Sequence, residues 1–424
     1  MDRKAIFGWA MYDFANSAFT TLVVTFIYAT YFTKAIANDE ITGTVLWSRA
    51  VTISAVAVAL LSPILGALAD QGRHRKQLLF FCTAAAVAST AMLYTPLPGQ
   101  TLRALLWFGI ANTAFELGYV FYNAFLPDIA PPDKIGRISG LGWGLGYLGG
   151  LAAMFVAMVC LVNPATPWFG FSRELGQNIR ATNLLVAVWF GLFSLPLFFF
   201  VKARATAGQI RLPDAFRQLK TTFHEIRHFK QIVRFLAAHL LYNDGLITIF
   251  AFGGIYAAGT FQFTFREIML FGIVLNITAG IGALAAGFID DRLGGKATIQ
   301  LSLAGLAAAS LLAVFAQNKP HFWVAGIIIG ICSGPNQAAS RSLMARFVPN
   351  ERESQFFGFF SFSGKITAFL GPFFLGLLTD LFDSQRLGVS AVILFFVLGA
   401  VLLAGVDEQE GMAVARAGTQ VNSL

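Results

Sequence analysis

The sequence contains twelve apolar runs, each about as long as a bilayer core is thick, separated by short polar breaks. A hydrocarbon core of about 30 Å needs roughly 20 helical residues. Only 12% of the residues are charged and 56% are hydrophobic, which excludes an ordinary soluble domain. The pattern predicts an all-α membrane protein with twelve transmembrane helices. The predicted spans are Phe7–Phe32, Leu46–Leu68, Leu78–Tyr94, Leu102–Phe125, Ile138–Val162, Thr182–Val201, Ile232–Ala258, Ile268–Ile289, Thr298–Ala316, Phe322–Met344, Phe356–Leu378 and Leu387–Val406.

Basic residues are distributed unevenly over the predicted loops. With a cytoplasmic N-terminus, 20 of the 30 Lys and Arg fall in cytoplasmic segments and helix ends, and 8 fall on the opposite side. Because positive charge accumulates in the cytoplasmic loops of membrane proteins, we expect both termini in the cytoplasm and the protein in the plasma or inner cell membrane. This asymmetry accounts for the net charge of +8 without a nucleic acid partner.

The longest polar interval, residues 202–231, divides the spans six and six. We therefore expect an N-terminal six-helix bundle over residues 1–201, a C-terminal six-helix bundle over 232–406 and a cytoplasmic tail over 407–424. Apolar residues recur at helical spacing within the basic interval, which predicts an amphipathic helix. They are Leu212, Phe216, Leu219, Phe223 and Ile226. Such a helix either lies on membrane lipid or packs against the bundles, and the sequence leaves both open.

A motif of Gly and Asp occurs twice, after the second and the eighth predicted span. In each copy an Asp follows a Gly by four residues and precedes a turn rich in glycine and cations. The repetition indicates two duplicated, pseudo-symmetric halves. We expect each Asp to accept hydrogen bonds from the N-terminus of a neighbouring helix and each Arg to pair with an acidic helix end. Such contacts would form a gate. Ordinary anchoring of the loop is the alternative. The motif residues are Gly66, Asp70 and Arg73, then Gly287, Asp291, Arg292 and Gly294.

The loop motifs resemble those of the major facilitator superfamily, whose pattern is Gly-x-x-x-Asp-Arg-x-Gly-Arg. The second copy fits this pattern, whereas the first has Gln71 where Arg is usual. Longer strings resemble the autophagy-related vacuolar effluxer-like branch: Trp9–Ser17, Tyr122–Asp128, Tyr242–Gly245, Gln337–Leu343, Phe356–Gly358 and Gly364–Lys365. The resemblance implies two bundles that rock about a midplane site to give alternating access. It also implies efflux of an amino acid or a related small organic metabolite. We expect the protein to function as a monomer.

Five ionisable side chains fall inside predicted spans, where an ion costs about 3 kcal/mol on insertion scales. They are Asp13, Glu116, Asp244, Arg341 and Lys365. In the resembled fold, spans one, four, seven and ten line the central cavity, which places four of these charges along one path. We expect Lys365 or Arg341 to bind a carboxylate. We expect Asp244 or Glu116 to bind an amine or the coupling proton, and interhelical ion pairs are the alternative for all of them.

Uncharged polar residues on spans one, seven and ten complete the candidate solute pathway. These residues either hydrogen-bond the solute or bridge helices; they are Asn16, Asn243, Asn336 and Gln337. Neither a cofactor nor a metal is expected. Proton coupling and facilitated diffusion require no different residues, and a membrane solute sensor or scaffold without transport is a further alternative.

One short string matches the zinc-peptidase pattern His-Glu-x-x-His, at His224, Glu225 and His228. In such enzymes two His one helical turn apart bind zinc and the Glu activates water. Here Gln231 and Arg234 stand where one known continuation of the pattern has Gly and a third His. A membrane-embedded zinc peptidase is therefore a minor alternative to a transporter, which is not an enzyme.

Overall fold

The computed structural model describes residues 2–71, 74–202, 212–225 and 228–421. Every regular element within these ranges is a helix. Helices satisfy their own backbone hydrogen bonds, as a segment in hydrocarbon must. Backbone contacts divide the chain into two units. Unit 1 comprises Met1–Leu61, Gln71–Tyr122 and Leu145–Gln209, and unit 2 comprises Ser62–Asp70, Asn123–Gly144 and Ile210–Leu424.

The α-helices follow the predicted spans, the linker and the tail. They are α1 (Arg3–Ala18), α2 (Tyr28–Tyr31), α3 (Glu40–Asp70), α4 (Arg75–Met92), α5 (Thr101–Asn123), α6 (Leu126–Ile129), α7 (Ile135–Ala157), α8 (Gln177–Phe200), α9 (Leu212–His224), α10 (Lys230–Phe261), α11 (Phe265–Leu293), α12 (Gly295–Phe315), α13 (Lys319–Phe347), α14 (Glu353–Lys365), α15 (Leu370–Phe382), α16 (Gln385–Ala404) and α17 (Glu408–Val421). Segments of π-helix at Phe19–Phe26, Phe32–Ile36 and Met158–Val162 extend α1, α2 and α7.

Ten helical segments of the described residues are long and apolar enough to cross a membrane. Predicted spans three and ten correspond to α4 and α13, which are helical over 18 and 29 residues. These two helices are less apolar than the ten segments. The prediction of an all-α membrane protein is confirmed.

Two predicted spans differ from a single regular helix. Span one changes from α1 into π-helix at Phe19, and the short helix α2 follows. Span eleven is interrupted between Lys365 and Leu370. Pro372 has no N–H, so the carbonyl of Ala368 cannot be bonded in helical register at this point.

In unit 1, α1 packs closely against α7 and α8 because glycines remove side chains at the contacts. A Cβ on Gly149 would lie 2.1 Å from the Phe14 carbonyl oxygen, and one on Gly8 would lie 2.5 Å from the Pro196 carbonyl oxygen. Small residues at helix interfaces allow such backbone approaches in membrane proteins. The side chains of α1 are thereby held in fixed positions.

In unit 2, the linker helix α9 packs against the end of α3. Ala215 is fully buried and Leu219 is 8% exposed, and both form one apolar cluster with Ala67 and Leu68. Phe216, predicted on the same apolar face, is 56% exposed, because it is rotated by about 100° from Ala215 around the helix. The predicted amphipathic helix is present, and its packed side faces protein.

The division into bundles over residues 1–201 and 232–406 stays a prediction. Backbone contacts place residues 62–70 and 123–144 in unit 2, together with the helices of the C-terminal half of the sequence. These segments are the end of α3 and the chain from the end of α5 to the first half of α7. Polar contacts that they make within unit 2 form much of the candidate site.

Candidate functional site

The carboxylate of Asp70, in the first loop motif, lies at the N-terminus of α14. It accepts hydrogen bonds from the backbone N–H groups of Ser354 at 3.0 Å and Gln355 at 2.8 Å. These are the second and third residues of α14, and N–H groups in the first turn have no partner within their own helix. The positive end of the helix dipole also favours a carboxylate there. This arrangement is termed the Asp70 contact.

Asp291, in the second loop motif, makes the equivalent contact with α7. It accepts from the backbone N–H groups of Gly136 at 2.8 Å and Arg137 at 3.4 Å, and from Arg137 Nε at 2.7 Å. Gly136 and Arg137 are the second and third residues of α7. This is termed the Asp291 contact, and it matches the Asp70 contact residue by residue. The role of both contacts in gating stays a prediction.

The motif glycines Gly66 and Gly287 make these approaches possible. A Cβ on Gly66 would lie 2.3 Å from the Ser354 carbonyl oxygen, and one on Gly287 would lie 2.9 Å from the Gly136 carbonyl oxygen. The two helices at each contact meet backbone to backbone. The four-residue spacing from Gly to Asp places both on the same side of their helix, which explains the spacing of the motif.

Sequence reasoning missed the matching glycines on the partner helices. A Cβ on Gly358 of α14 would lie 2.4 Å from the Ser62 carbonyl oxygen, and one on Gly140 of α7 would lie 2.4 Å from the Ala283 carbonyl oxygen. Each of these glycines lies about one helical turn after its Asp contact. The available signal was small residues four apart at a helix start, a pattern that favours close packing.

The remaining motif residues take different positions. Arg73 lies outside the described residues. Arg292 is exposed at the end of α11, and within the described ranges it is Arg346 that pairs with the acidic end of this helix. Gly294 has a φ of 92° and ends α11, a conformation that favours glycine.

A buried ionic cluster supports the second motif. Arg346 Nη1 lies 2.5 Å from Asp290 Oδ1 and 3.5 Å from Glu408 Oε1. Glu408, at the start of the tail helix α17, also accepts from the backbone N–H groups of Gly295 and Lys296 at 3.0 Å each. The predicted tail is therefore held against α12 and α13.

Arg341 is 2% exposed and is held by residues from α5 and α7. Its Nη2 and Nε donate to the carbonyl and hydroxyl oxygens of Ser139 at 2.7 and 3.0 Å, and its Nη1 donates to Asn123 Oδ1 at 3.4 Å. The ring of Trp143 lies 5.5 Å from the guanidinium carbon. A buried guanidinium needs such partners. These contacts favour a positioning role for Arg341.

Asn336 and Asn16 each have a buried polar atom without a hydrogen-bond partner in the described ranges. Asn336 Nδ2 donates to Ser302 Oγ at 3.0 Å and so bridges α13 to α12, whereas its Oδ1 accepts no bond. Asn16 Nδ2 donates none, and its Oδ1 lies 3.5 Å from Ser17 Oγ. A buried polar atom without a partner costs about 1–3 kcal/mol, which indicates places where water or solute completes the bonding.

Asp13 and Glu116 lie in unit 1, on α1 and α5. Asp13 is 3% exposed, and a Cβ on Gly146 of α7 would lie 3.6 Å from its Cβ. Glu116 is half-buried. Asp13 and Asn16 are three residues apart and so lie on one side of α1. In unit 2, Gln337 is half-buried on α13.

Side chains of α10 contact the interrupted span eleven. Asn243 Nδ2 donates to the Gly364 carbonyl oxygen at 2.9 Å, and His239 Nδ1 lies 2.8 Å from Ser363 Oγ. Asp244 is fully buried, and neither of its carboxylate oxygens has a hydrogen-bond partner among the described residues.

Lys365 is the last residue of α14 and is half-buried. Its ammonium group does not hydrogen-bond to Asp244, because nothing in the described chain bonds to either carboxylate oxygen of that residue. The structure therefore brings Asn243 of α10 to the part of unit 2 where α14 ends at Lys365.

The His-Glu-x-x-His string does not lie on one helix. Helix α9 ends at His224, so His228 is not placed one helical turn along from it. Glu225 accepts from Arg352 Nη1 at 2.9 Å, and His224 Nδ1 lies 2.7 Å from the Lys220 carbonyl oxygen. Within the described ranges no three His, Cys, Asp or Glu side chains are grouped to hold a metal ion. Nothing in this geometry supports the zinc-peptidase alternative.

The family of the chain follows from a match over most of its length. A family model described as "Vacuole effluxer Atg22 like" matches residues 36–416. The chain belongs to this Atg22-like family. It is 27% identical over 414 residues to the uncharacterized MFS-type transporter YxiO of Bacillus subtilis, covering 96% of each chain. It is 22% identical over 433 residues to autophagy-related protein 22 of Yarrowia lipolytica, covering 81% of this chain and 72% of that protein.

Solved structures share the fold of this Atg22-like chain. The human organic anion transporter MFSD10 superposes with a TM-score of 0.72 at 15% identity, covering 95% of this chain and 99% of that one. The proton:xylose symporter XylE superposes with a TM-score of 0.74 at 12% identity, covering 98% of each chain. The predicted major facilitator fold is confirmed. The chain is a multi-pass membrane transporter.

Proposed function

We propose that this Atg22-like chain exports a small organic solute, an amino acid or a related metabolite, across the cell membrane by alternating access. The paired Asp70 and Asp291 contacts carry the proposal. Each joins a loop motif to the first turn of a helix distant in sequence, through hydrogen bonds that can open while both helices stay intact. A transporter that opens one face at a time needs contacts that break and reform in this way.

Polar groups among the predicted pathway residues suit a zwitterionic solute. Asp13, Asn16 and Glu116 suit an amine, because carboxylates and amide oxygens accept hydrogen bonds from ammonium groups. Lys365 suits a carboxylate. We assign Arg341 to positioning rather than to solute binding, because its donors already bond to protein groups.

We expect efflux because the family is described as vacuole effluxers. In the predicted orientation both Asp contacts lie at the cytoplasmic side. A monomer suffices, because the proposed groups belong to a single chain. Transport is either coupled to a proton gradient through Glu116 or Asp244, or it is facilitated diffusion. Metabolite exchange with and without a pH gradient distinguishes the two.

Metabolite exchange from proteoliposomes tests the proposal. Purified protein is reconstituted into liposomes loaded with a cell metabolite extract, and the external buffer is followed by mass spectrometry with and without a pH gradient. We expect amino acids or similar zwitterions to appear outside faster than from protein-free liposomes. Release of no metabolite would contradict transport, and saturable binding without release would favour the sensor or scaffold alternative.

A further inference from the structure

Span eleven is broken near its middle, and the break lies against α10. Helix α14 ends at Lys365 and α15 begins at Leu370. A Cβ on Gly371, just after the break, would lie 1.9 Å from Thr248 Oγ1 and 2.9 Å from the Asp244 carbonyl oxygen. The glycine therefore allows α10 and the broken span to meet at the level of Asp244.

Besides that of Gly364, which accepts from the Asn243 side chain, three carbonyl oxygens at the break have no backbone hydrogen bond from the described chain. They belong to Ser363, Ile366 and Ala368. The N–H of Leu370 donates to the Thr367 carbonyl oxygen at 2.7 Å, one residue short of α-helical register. Pro372, four residues after Ala368, has no N–H to donate. Free carbonyl groups are unfavourable at membrane depth unless another group binds them.

The buried side chain at this level is a carboxylate without a partner. Asp244 is 0% exposed, and neither carboxylate oxygen accepts a hydrogen bond from the described residues. The hydroxyl of Thr367, within the break, lies beside that carboxylate, although the two groups are not in hydrogen-bond geometry. Buried polar groups normally have partners, so a buried carboxylate with only one nearby hydroxyl, which is outside hydrogen-bond geometry, indicates a ligand that both groups bind.

The chemistry of these groups selects the ligand. Carboxylate, hydroxyl and carbonyl oxygens bind hard cations. A single carboxylate balances one positive charge, and Ca²⁺ sites usually employ several carboxylates; the described residues hold no group of three metal-binding acidic, His or Cys side chains. Unwound carbonyls of discontinuous membrane helices coordinate Na⁺. We propose that the break in span eleven is a sodium site, in which Asp244 supplies the charge and Thr367 and the freed carbonyls supply neutral oxygens.

A proton on Asp244 explains less of the geometry than Na⁺ does. It would neutralise the carboxyl group but would leave the freed carbonyl groups without a ligand. Lys365, at the end of α14, does not hydrogen-bond to the carboxylate. The binding site rests on unit 2 alone, whereas its role as a coupling-ion site rests on the proposed transport function.

Sodium binding to the full-length purified protein tests the site directly. Radioactive Na⁺ is titrated onto the protein in nanodiscs, in the absence of solute, with choline maintaining the ionic strength. We expect saturable binding that excess unlabelled Na⁺ displaces and choline does not. Absence of saturable binding at both neutral and alkaline pH would overturn the proposal, and it is the result expected if Asp244 carries only a proton.

Two substitutions that preserve volume test the assigned residues. Asp244→Asn removes the charge, so we expect sodium binding to be lost. Thr367→Val removes one neutral oxygen, and we expect about tenfold weaker binding. The matched controls Asp380→Asn and Thr379→Val lie on α15 away from the break, and we expect them to bind Na⁺ as the wild type does. If Asp244→Asn does not give a monodisperse protein, Thr367→Val decides, and wild-type affinity in that variant would overturn the assignment.

Solute exchange under equal Na⁺ on both sides of the membrane separates this inference from the proposed function. Solute exchange without sodium binding would support the proposed transport function and overturn the sodium site. Sodium binding without exchange of any solute retains the site and removes the proposed function.

Discussion

At the residue scale, the packing of α3 against α14 depends on a single atom, the Cβ that Gly66 lacks. An added methyl group would lie 2.3 Å from the Ser354 carbonyl oxygen, and a backbone oxygen cannot rotate away as a side chain can. Gly66 is therefore required by the close approach of α3 and α14 and not by its own φ angle.

We expect Gly66→Ala to destabilise the protein by about 1–3 kcal/mol, the usual cost of overpacking. The measurement is the thermal midpoint of the purified protein. Gly253→Ala is the matched control, because a Cβ there meets nothing within 4 Å. An unchanged midpoint for Gly66→Ala would show that the two helices separate at no cost.

Arg341 acts through the geometry of its guanidinium group rather than through charge alone. Arg341→Lys keeps the charge but cannot bond at once to both oxygens of Ser139 and to Asn123. We expect a loss of about 1.5–3 kcal/mol of stability, typical of hydrogen bonds to charged groups, as a lower unfolding midpoint. The control Arg292→Lys is exposed, and we expect a change within about 0.5 kcal/mol. Equal effects of both changes would remove the positioning role.

At the scale of elements, helix α9 shows how a basic linker is fixed to the bundle. Its packed side consists of Ala215 and Leu219 against Ala67 and Leu68, whereas Phe216 faces outwards. Packing of α9 against protein therefore depends on Ala215 and Leu219, whereas any contact of α9 with lipid would depend on Phe216.

We expect Leu219→Ala to weaken the docking of α9 by about 2 kcal/mol. Amide hydrogen exchange of residues 212–224 would then be roughly 30-fold faster. The matched control Phe216→Ala changes an exposed apolar residue and should leave this exchange unchanged. The reverse order of effects in nanodiscs would mean that lipid contact holds the helix.

The spans were predictable from the sequence, whereas the break in span eleven was not. Apolar runs of membrane length specify a helix because hydrocarbon requires internal hydrogen bonds. Pro372 is a local signal for the break, yet Pro63 and Pro196 lie within the continuous helices α3 and α8. Proline alone therefore does not predict a break, which also depends on tertiary contacts such as the hydrogen bond from Asn243 to the Gly364 carbonyl oxygen.

The candidate site was predictable in part for a related reason. The motif spacing indicated that Asp70 and Asp291 approach helix N-termini, because a carboxylate is stabilised there. Which helices receive them depends on tertiary packing, and so does the difference between Arg341, which has protein partners, and Asp244, whose carboxylate oxygens have no hydrogen bond within the described chain.

At the scale of the whole molecule, the two Asp contacts form a duplicated device. Both carboxylates bond to the second and third N–H groups of a helix, and both depend on a glycine four residues earlier. We therefore expect the two contacts to contribute similar free energies to the state in which one face of the transporter is closed.

We expect Asp70→Ala and Asp291→Ala to change the balance of accessible faces by similar amounts. Loss of a carboxylate cap costs about 0.5–2 kcal/mol, and about 1.4 kcal/mol corresponds to a tenfold shift. The measurement is the labelling rate of a cysteine introduced in the pathway, with a membrane-impermeant reagent applied from each side. Asp380→Ala, exposed on α15, is the control, and unchanged sidedness in both variants would reduce the contacts to loop anchoring.

Counterflow tests alternating transport of an amino acid most directly. Proteoliposomes are loaded with a concentrated mixture of unlabelled amino acids and diluted into buffer that contains a trace of the same mixture carrying a radioactive label. An alternating-access transporter returns to the outer face more often with internal solute bound, so we expect transient accumulation of label above its external concentration. Uptake no greater than in protein-free liposomes, or uptake that internal solute does not stimulate, would contradict it.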